Sequence, residues 1–195
     1  MWTDLGACHQ GKEAQAKVGD AKGTRETTGL VIVNTGRGKG KTTAALGVLL
    51  RAWGRKMKVV MFQFIKTSRS NMGEHRAAQQ MGVEIFRADL PPFDKSVPEG
   101  KCQAIKLWDL ARERINSGSY DIVILDELSY PLKYGWLSVE EVLEVLRHRP
   151  KEIHVIITGR NVPQECIDFA DLVTEMREVK HPFHKGIRAQ PGIEF

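Results

Sequence analysis

The residues of this chain best suited to chemistry are a lysine and two threonines that follow three alternating glycines. Gly36, Gly38 and Gly40 interleave with Arg37 and Lys39, and Lys41, Thr42 and Thr43 come directly after. Glycines let successive backbone N–H groups turn inward with no Cβ in the way, so such a loop forms a cradle for phosphate oxygens. Lys41 would reach those phosphates, and Thr42 would offer its hydroxyl to Mg²⁺. The spacing departs from the general phosphate-loop pattern G-x-x-x-x-G-K-[ST] at one place, because the first glycine position is held by Thr35. The dinucleotide pattern G-x-G-x-x-G also fails, since its third glycine would fall where Lys41 stands.

A second constellation lies at Asp126 and Glu127, which end an apolar run, Ile122-Val123-Ile124-Leu125. A strand that delivers a carboxylate to the edge where a phosphate loop opens can hold Mg²⁺ directly or through water. Arg160 follows Gly159 after a third apolar run, residues 153–158, and is placed for the same edge. Arg51, farther along the helix that Lys41 opens, could turn back to the phosphates or face water. The histidines make weaker claims. His181 and His184 flank Pro182 and could ligate a metal only with a third ligand that the local sequence does not offer, and His9, His75, His148 and His154 read as incidental. No nucleophile–base arrangement stands out.

These residues require elements to position them. Residues 30–33 read as a strand entering the loop, and the stretch from Lys41 to about Gly54 as the helix leaving it. Residues 58–65 (KVVMFQFI) form a near-continuous apolar run, the mark of a strand buried on both faces of a parallel sheet. A short helix over 74–81, a strand over 83–86 and a long helix over 101–116 follow. Between the last two lies a segment with Pro91, Pro92 and Pro98, where regular structure is excluded. Ser138 with Glu141 reads as a capping box, with Leu137 and Val142 placed for a hydrophobic staple on a helix that runs to about His148. A helix near 163–169 and a sixth strand over 172–176 complete the alternation. Strands alternating with helices imply right-handed crossovers and a mainly parallel sheet of about six strands, covered on both faces. The expectation is a P-loop nucleotide-binding α/β domain over 29–195, preceded by a polar arm over 1–28 that is disordered or covers a ligand.

The bulk numbers agree. The chain has 195 residues, 42% hydrophobic and 27% charged, enough for one core. Its net charge of +5 calls for an anionic partner, and a bound triphosphate accounts for it without nucleic acid, for which no recognition motif is visible. Three cysteines, Cys8, Cys102 and Cys166, are odd in number and show no C-x-x-C spacing, so they read as reduced thiols of a cytoplasmic protein. No run approaches a membrane span.

Five blocks sharpen this reading. They are Thr35-Gly36-Arg37-Gly38-Lys39-Gly40-Lys41-Thr42-Thr43-Ala44-Ala45; Gln63-Phe64-Ile65-Lys66; Ile124-Leu125-Asp126-Glu127-Leu128; Ile156-Ile157-Thr158-Gly159-Arg160; and a tail of Lys180-His181-Pro182-Phe183 with Gly186, Ala189-Gln190 and Gly192-Ile193-Glu194. Together they closely resemble the ATP:corrinoid adenosyltransferases over residues 29–195. The resemblance implies a homodimer with a RecA-like sheet that moves the 5′-deoxyadenosyl group of ATP to the cobalt of a reduced corrinoid and releases triphosphate, with a reductase as a further partner. It implies that Gly36, Arg37, Gly38, Lys39, Gly40, Lys41, Thr42 and Thr43 wrap the triphosphate, that Mg²⁺ sits near Thr42 and Glu127, and that Arg51 and Arg160 touch phosphate. Relatives often carry Gly-Phe-Thr-Trp after the third strand, whose aromatics pack beneath the corrin. Here the region reads Asp89-Leu90-Pro91-Pro92-Phe93, so Phe93 is expected to do part of that work from a reshaped loop. A kinase-like protein transferring the γ-phosphoryl group and a RecA-like ATPase are the alternatives.

Overall fold

Runs of β-branched and aromatic residues become the strands of one sheet in the computed structural model, which describes residues 28–66, 72–89 and 98–194. In chain order the strands are β1 (Val31–Thr35), β2 (Val59–Lys66), β3 (Glu84–Asp89), β4 (Ile122–Asp126), β5 (His154–Thr158) and β6 (Leu172–Glu175). The helices are α1 (Lys41–Gly54), α2 (Gly73–Met81), α3 (Pro98–Asn116), α4 (Ser129–Lys133), α5 (Val139–His148) and α6 (Gln164–Phe169), with a 3₁₀ turn over Pro182–Lys185. The spatial order is β3-β2-β4-β5-β1-β6, and every pairing is parallel.

Strand geometry divides the core in two. Side chains alternate between faces along a strand, so Val59 and Met61 pack with Ile122, Ile124 and Ile156 beneath α1. Their neighbours Val60, Phe62 and Phe64 pack with Val123, Leu125 and Ile157 against α3 and α5. The helices supply matching stripes, Ala45, Leu49 and Ala52 from α1 and Trp108, Ala111 and Ile115 from α3. Both sets are spaced three or four residues apart, as one helix face demands. Ser138 caps α5 by accepting the Glu141 N–H at 3.4 Å, while Leu137 and Val142 both lie in the core.

The sheet departs from the expected boundaries at β3, which runs three residues farther, to Asp89. The short α4 is an addition to the expected elements; its Pro131 sits in the first helical turn, where the missing N–H costs nothing. Among the described residues β6 pairs with β1 alone, and all of its residues are exposed. Among the described residues no helix is long and apolar enough to cross a membrane.

Candidate active site

The phosphate loop is shaped by backbone meeting backbone. Gly36 leaves β1 at φ 99°, and a Cβ there would lie 2.4 Å from the Met176 carbonyl oxygen. Gly38 donates its N–H to that same oxygen at 2.7 Å, and an added Cβ would fall 2.7 Å from the Arg177 carbonyl carbon. The loop therefore lies directly against the chain continuing from β6, an approach only glycine permits. Thr35 is explained by the same geometry. The left-handed turn belongs to Gly36, one residue later, and the Thr35 hydroxyl accepts the Val162 N–H at 3.3 Å, tying the base of the loop to the β5–α6 connection.

Lys41 opens α1 with its side chain folded back over the loop. Its ammonium is buried and donates to the carbonyls of Gly36 at 3.0 Å and Gly38 at 2.7 Å. Burial holds its pKa below the usual lysine value; Glu127 opposes that shift and Arg160 reinforces it. An ammonium poised in this way beside a second cation gains most from an arriving polyphosphate.

Asp126 and Glu127 divide their work. Asp126 is fully enclosed, and its Oδ1 accepts from Thr42 Oγ1 at 2.8 Å and Thr158 Oγ1 at 2.7 Å. Its Oδ2 accepts from Gln63 Nε2 at 3.3 Å. A buried carboxylate is tolerable when donors surround it, so Asp126 binds together β4, β5, β2 and the start of α1. Glu127 stands one residue later at φ 60°, its N–H donated to Thr158 Oγ1 at 3.0 Å, and it lines the open cavity in front of Lys41 and Thr42. The left-handed backbone turns this acid toward the ligand side; such a conformation in a non-glycine residue is uncommon and typical of sites.

That cavity has a volume of about 510 Å³ and brings together Gly38, Lys39, Gly40, Lys41, Thr42 and Thr43 with Glu127 and Arg160. Gly36 forms the turn behind it, and Arg37 faces a neighbouring cavity of about 540 Å³ that shares Arg160. Arg51 does not belong to the set. It lies in the last turn of α1, ten residues beyond Lys41 and hence ~15 Å along the helix axis, too far to bend back to the loop of its own chain. Phe93 lies outside the described residues.

Sequence reasoning missed several participants. The carboxy-terminal tail crosses the mouth of the cavity with Gly192, Ile193 and Glu194; Glu194 accepts from Lys39 Nζ at 2.6 Å and from the Gln190 N–H at 2.7 Å. Lys39 is thus a phosphate candidate engaged by the tail. His75, read as incidental, instead meets Gln63 Oε1 at 2.6 Å through Nε2 and Arg87 at 3.1 Å through Nδ1, extending the Asp126 network to β3. The available signal was one polar residue, Gln63, within the apolar run of β2, and it did not identify its partners. His181 and His184 serve the tail. His184 Nε2 meets Glu178 Oε1 at 2.8 Å, and His181 Nδ1 accepts the Phe183 N–H at 3.0 Å.

A phosphate loop after β1 and an acid-bearing strand β4, separated by β5 in an all-parallel sheet, define a P-loop nucleotide-binding protein of the RecA-like class. The same fold is seen in the flagellar accessory protein FlaH from Methanocaldococcus jannaschii, with a TM-score of 0.52 over 76% of this chain and 71% of that one, at 9% identity. Within this class the chain belongs to the ATP:corrinoid adenosyltransferase BtuR/CobO/CobP family, whose sequence profile it matches over residues 27–195. It is 41% identical to the corrinoid adenosyltransferase of Escherichia coli K12, covering 94% of this chain and 93% of the relative. It is 39% identical to the corrinoid adenosyltransferase CobA of Salmonella typhimurium LT2, covering 94% and 97%. To the corrinoid adenosyltransferase of Pseudomonas aeruginosa PAO1 it is 36% identical, covering 88% and 86%.

Proposed function

We propose that this protein transfers the 5′-deoxyadenosyl group of ATP to the cobalt of a reduced corrinoid and releases triphosphate. The observation that carries this reading is a phosphate cradle with two cations, Lys41 and Arg160, facing one cavity, in a chain of the adenosyltransferase family. The cobalt(I) of the substrate brings the attacking electron pair. It forms a bond to C5′ while the C5′–O bond breaks, and that bond's electrons leave on the triphosphate. Such a nucleophile needs no general base. The protein's task is to hold C5′ in line with the metal and to stabilise the charge gathering on the departing polyphosphate. The Gly40 amide, the Lys41 ammonium, Arg160 and Lys39 suit that task, with Gly36, Arg37, Gly38 and Thr43 completing the loop. Lys39 must exchange Glu194 for phosphate as the nucleotide enters.

Mg²⁺ fits the donor set. The hydroxyl proton of Thr42 is committed to Asp126, which leaves an oxygen lone pair for a cation, and the Glu127 carboxylate lines the same cavity. One or two carboxylates plus substrate phosphates are how this ion is usually held. Bound there, it would neutralise part of the polyphosphate charge. Phe93 we assign to the corrin side, where Phe93→Ala should slow transfer and leave ATP affinity unchanged. We further propose a homodimer served by a separate reductase in the cytoplasm. The exposed edge strand β6 and the exposed apolar residues Leu172, Val173 and Ile187 support a second copy as neighbour.

The test is to incubate the protein with ATP, Mg²⁺ and chemically reduced cobalamin. Adenosylcobalamin and triphosphate are expected, and Lys41→Ala should lower the rate at least ~10²-fold, the scale of losing one preorganised electrostatic contact. ADP with a phosphorylated acceptor, or ADP with phosphate, would instead identify a kinase or an ATPase.

A further inference from the structure

Gln63 is the polar interruption in the apolar run of β2, and it is fully enclosed. Sheet register sets it level with Asp126 of β4 on one side and with Arg87 of β3 on the other. Residues level with one another in a sheet share a face, so the three form a row across neighbouring strands. His75 of α2 joins that row from above. Its Nε2 lies 2.6 Å from Gln63 Oε1 and its Nδ1 3.1 Å from an Arg87 guanidinium nitrogen, while Gln63 Nε2 lies 3.3 Å from Asp126 Oδ2.

The chemistry of these groups fixes the direction of every hydrogen bond. A guanidinium only donates, so His75 accepts from Arg87 at Nδ1. An imidazole that accepts at one nitrogen carries its hydrogen on the other, and Nε2–H therefore donates to Gln63 Oε1. At the far end the Asp126 carboxylate only accepts, so Gln63 must present its NH₂ there. Turned over, the amide would set its oxygen against the carboxylate and its NH₂ against the imidazole N–H, and both bonds would be lost. The donations run one way, from Arg87 through His75 and Gln63 to Asp126. They end on the acid that also takes the Thr42 hydroxyl proton at 2.8 Å.

We infer that His75 is a positioning residue for the Mg²⁺ site, acting through Gln63: it holds the amide in the one orientation that supports Asp126, and Asp126 in turn keeps the Thr42 oxygen free for the cation. This deepens the Mg²⁺ assignment and rests on it. The position of α2 gives the relay a second consequence. Met72, Gly73 and Glu74, immediately before His75, line the phosphate cavity, so the same side chain fastens that wall to the acid-bearing strand.

The experiment measures Kd for ATP by calorimetry, once with saturating Mg²⁺ and once with EDTA, and the ratio reports what the metal contributes. Wild-type protein should bind more tightly with Mg²⁺. His75→Leu should shrink that ratio about 3- to 10-fold, less than the ~10- to 100-fold loss typical of a group bonded to the metal ligand itself, because Gln63 and Asp126 intervene. Its Kd in EDTA should change less than about 2-fold. His75→Gln, whose amide nitrogen can replace Nε2 as donor, should retain the ratio. Adding His75→Leu to Gln63→Met should cost nothing beyond Gln63→Met alone, since the two act in series. Arg87→Met, at an exposed position, removes the donor that sets the tautomer and should reduce the ratio even where His75→Leu fails to fold. Equal weakening of ATP binding with and without the metal marks a merely structural role and overturns the inference, as do an unchanged ratio in His75→Leu or independent, additive losses in the double variant. A wild-type protein whose ATP affinity ignores Mg²⁺ defeats the metal assignment itself, a failure visible before any variant is compared.

Discussion

At the scale of single residues, the site depends on hydrogens being committed in advance. Thr42 and Thr158 both give their hydroxyl protons to Asp126, and Thr158 in turn receives the Glu127 N–H. One threonine thus orients both acids. Thr158→Val should leave Asp126 and the Glu127 amide short of a partner and cost about 1–3 kcal/mol in a denaturant titration. Lys41 carries a pH signature. Its ammonium is the form that binds phosphate, and burial lowers its pKa, so deprotonation begins at lower pH than for an exposed lysine. ATP affinity should therefore fall on an alkaline limb centred below 10.5, and Lys41→Arg should move that limb upward, read as Kd against pH. Lys41, Thr42 and Glu127 were legible in the sequence because a glycine-rich turn and an acid-ended strand announce them. Gln63, His75 and Thr158 were not, because their roles arise only when β2, β4 and β5 lie side by side.

At the scale of elements, position along a helix separates the two arginines that a family likeness treats alike. Arg160 follows β5 at the carboxyl edge of the sheet and reaches the cavity, whereas Arg51 rides the far end of α1. Linear sequence places Arg51 close behind the loop; a helix rise of ~1.5 Å per residue carries it away. The strand runs were readable because burial on both faces leaves β2 and β4 almost uniformly apolar. The segment directly after β6 was not, since its contacts with Gly36 and Gly38 are made by the backbone of Met176 and Arg177, which has no sequence signature. Those contacts yield a contrast between two small substitutions. Gly38→Ala forces a methyl group into the Arg177 backbone and should abolish measurable ATP binding. Ser138→Ala removes the cap of α5, far from the nucleotide, and should lower stability by about 0.5–1 kcal/mol with ATP binding intact. Calorimetry for binding and denaturant titration for stability separate the two effects.

At the scale of the whole molecule, a parallel sheet gathers Lys41, Thr42, Glu127 and Arg160 on its carboxyl edge, where such folds hold ligands. β1 supplies the loop, β4 the acids and β5 Thr158 and Arg160, and the tail returning from β6 borders the cavity they share. Kinases and ATPases use the same edge to cut between phosphorus atoms. Holding the nucleotide by its polyphosphate while a metal attacks the sugar carbon demands a different broken bond, and that difference can be read with ATP carrying a heavy-oxygen label between C5′ and the α-phosphorus. After reaction with reduced corrinoid, the label should be found in intact triphosphate, in amounts equal to the adenosylated corrinoid formed. Label that remains with adenosine in ADP or AMP, with the C5′–O bond unbroken, would contradict the account.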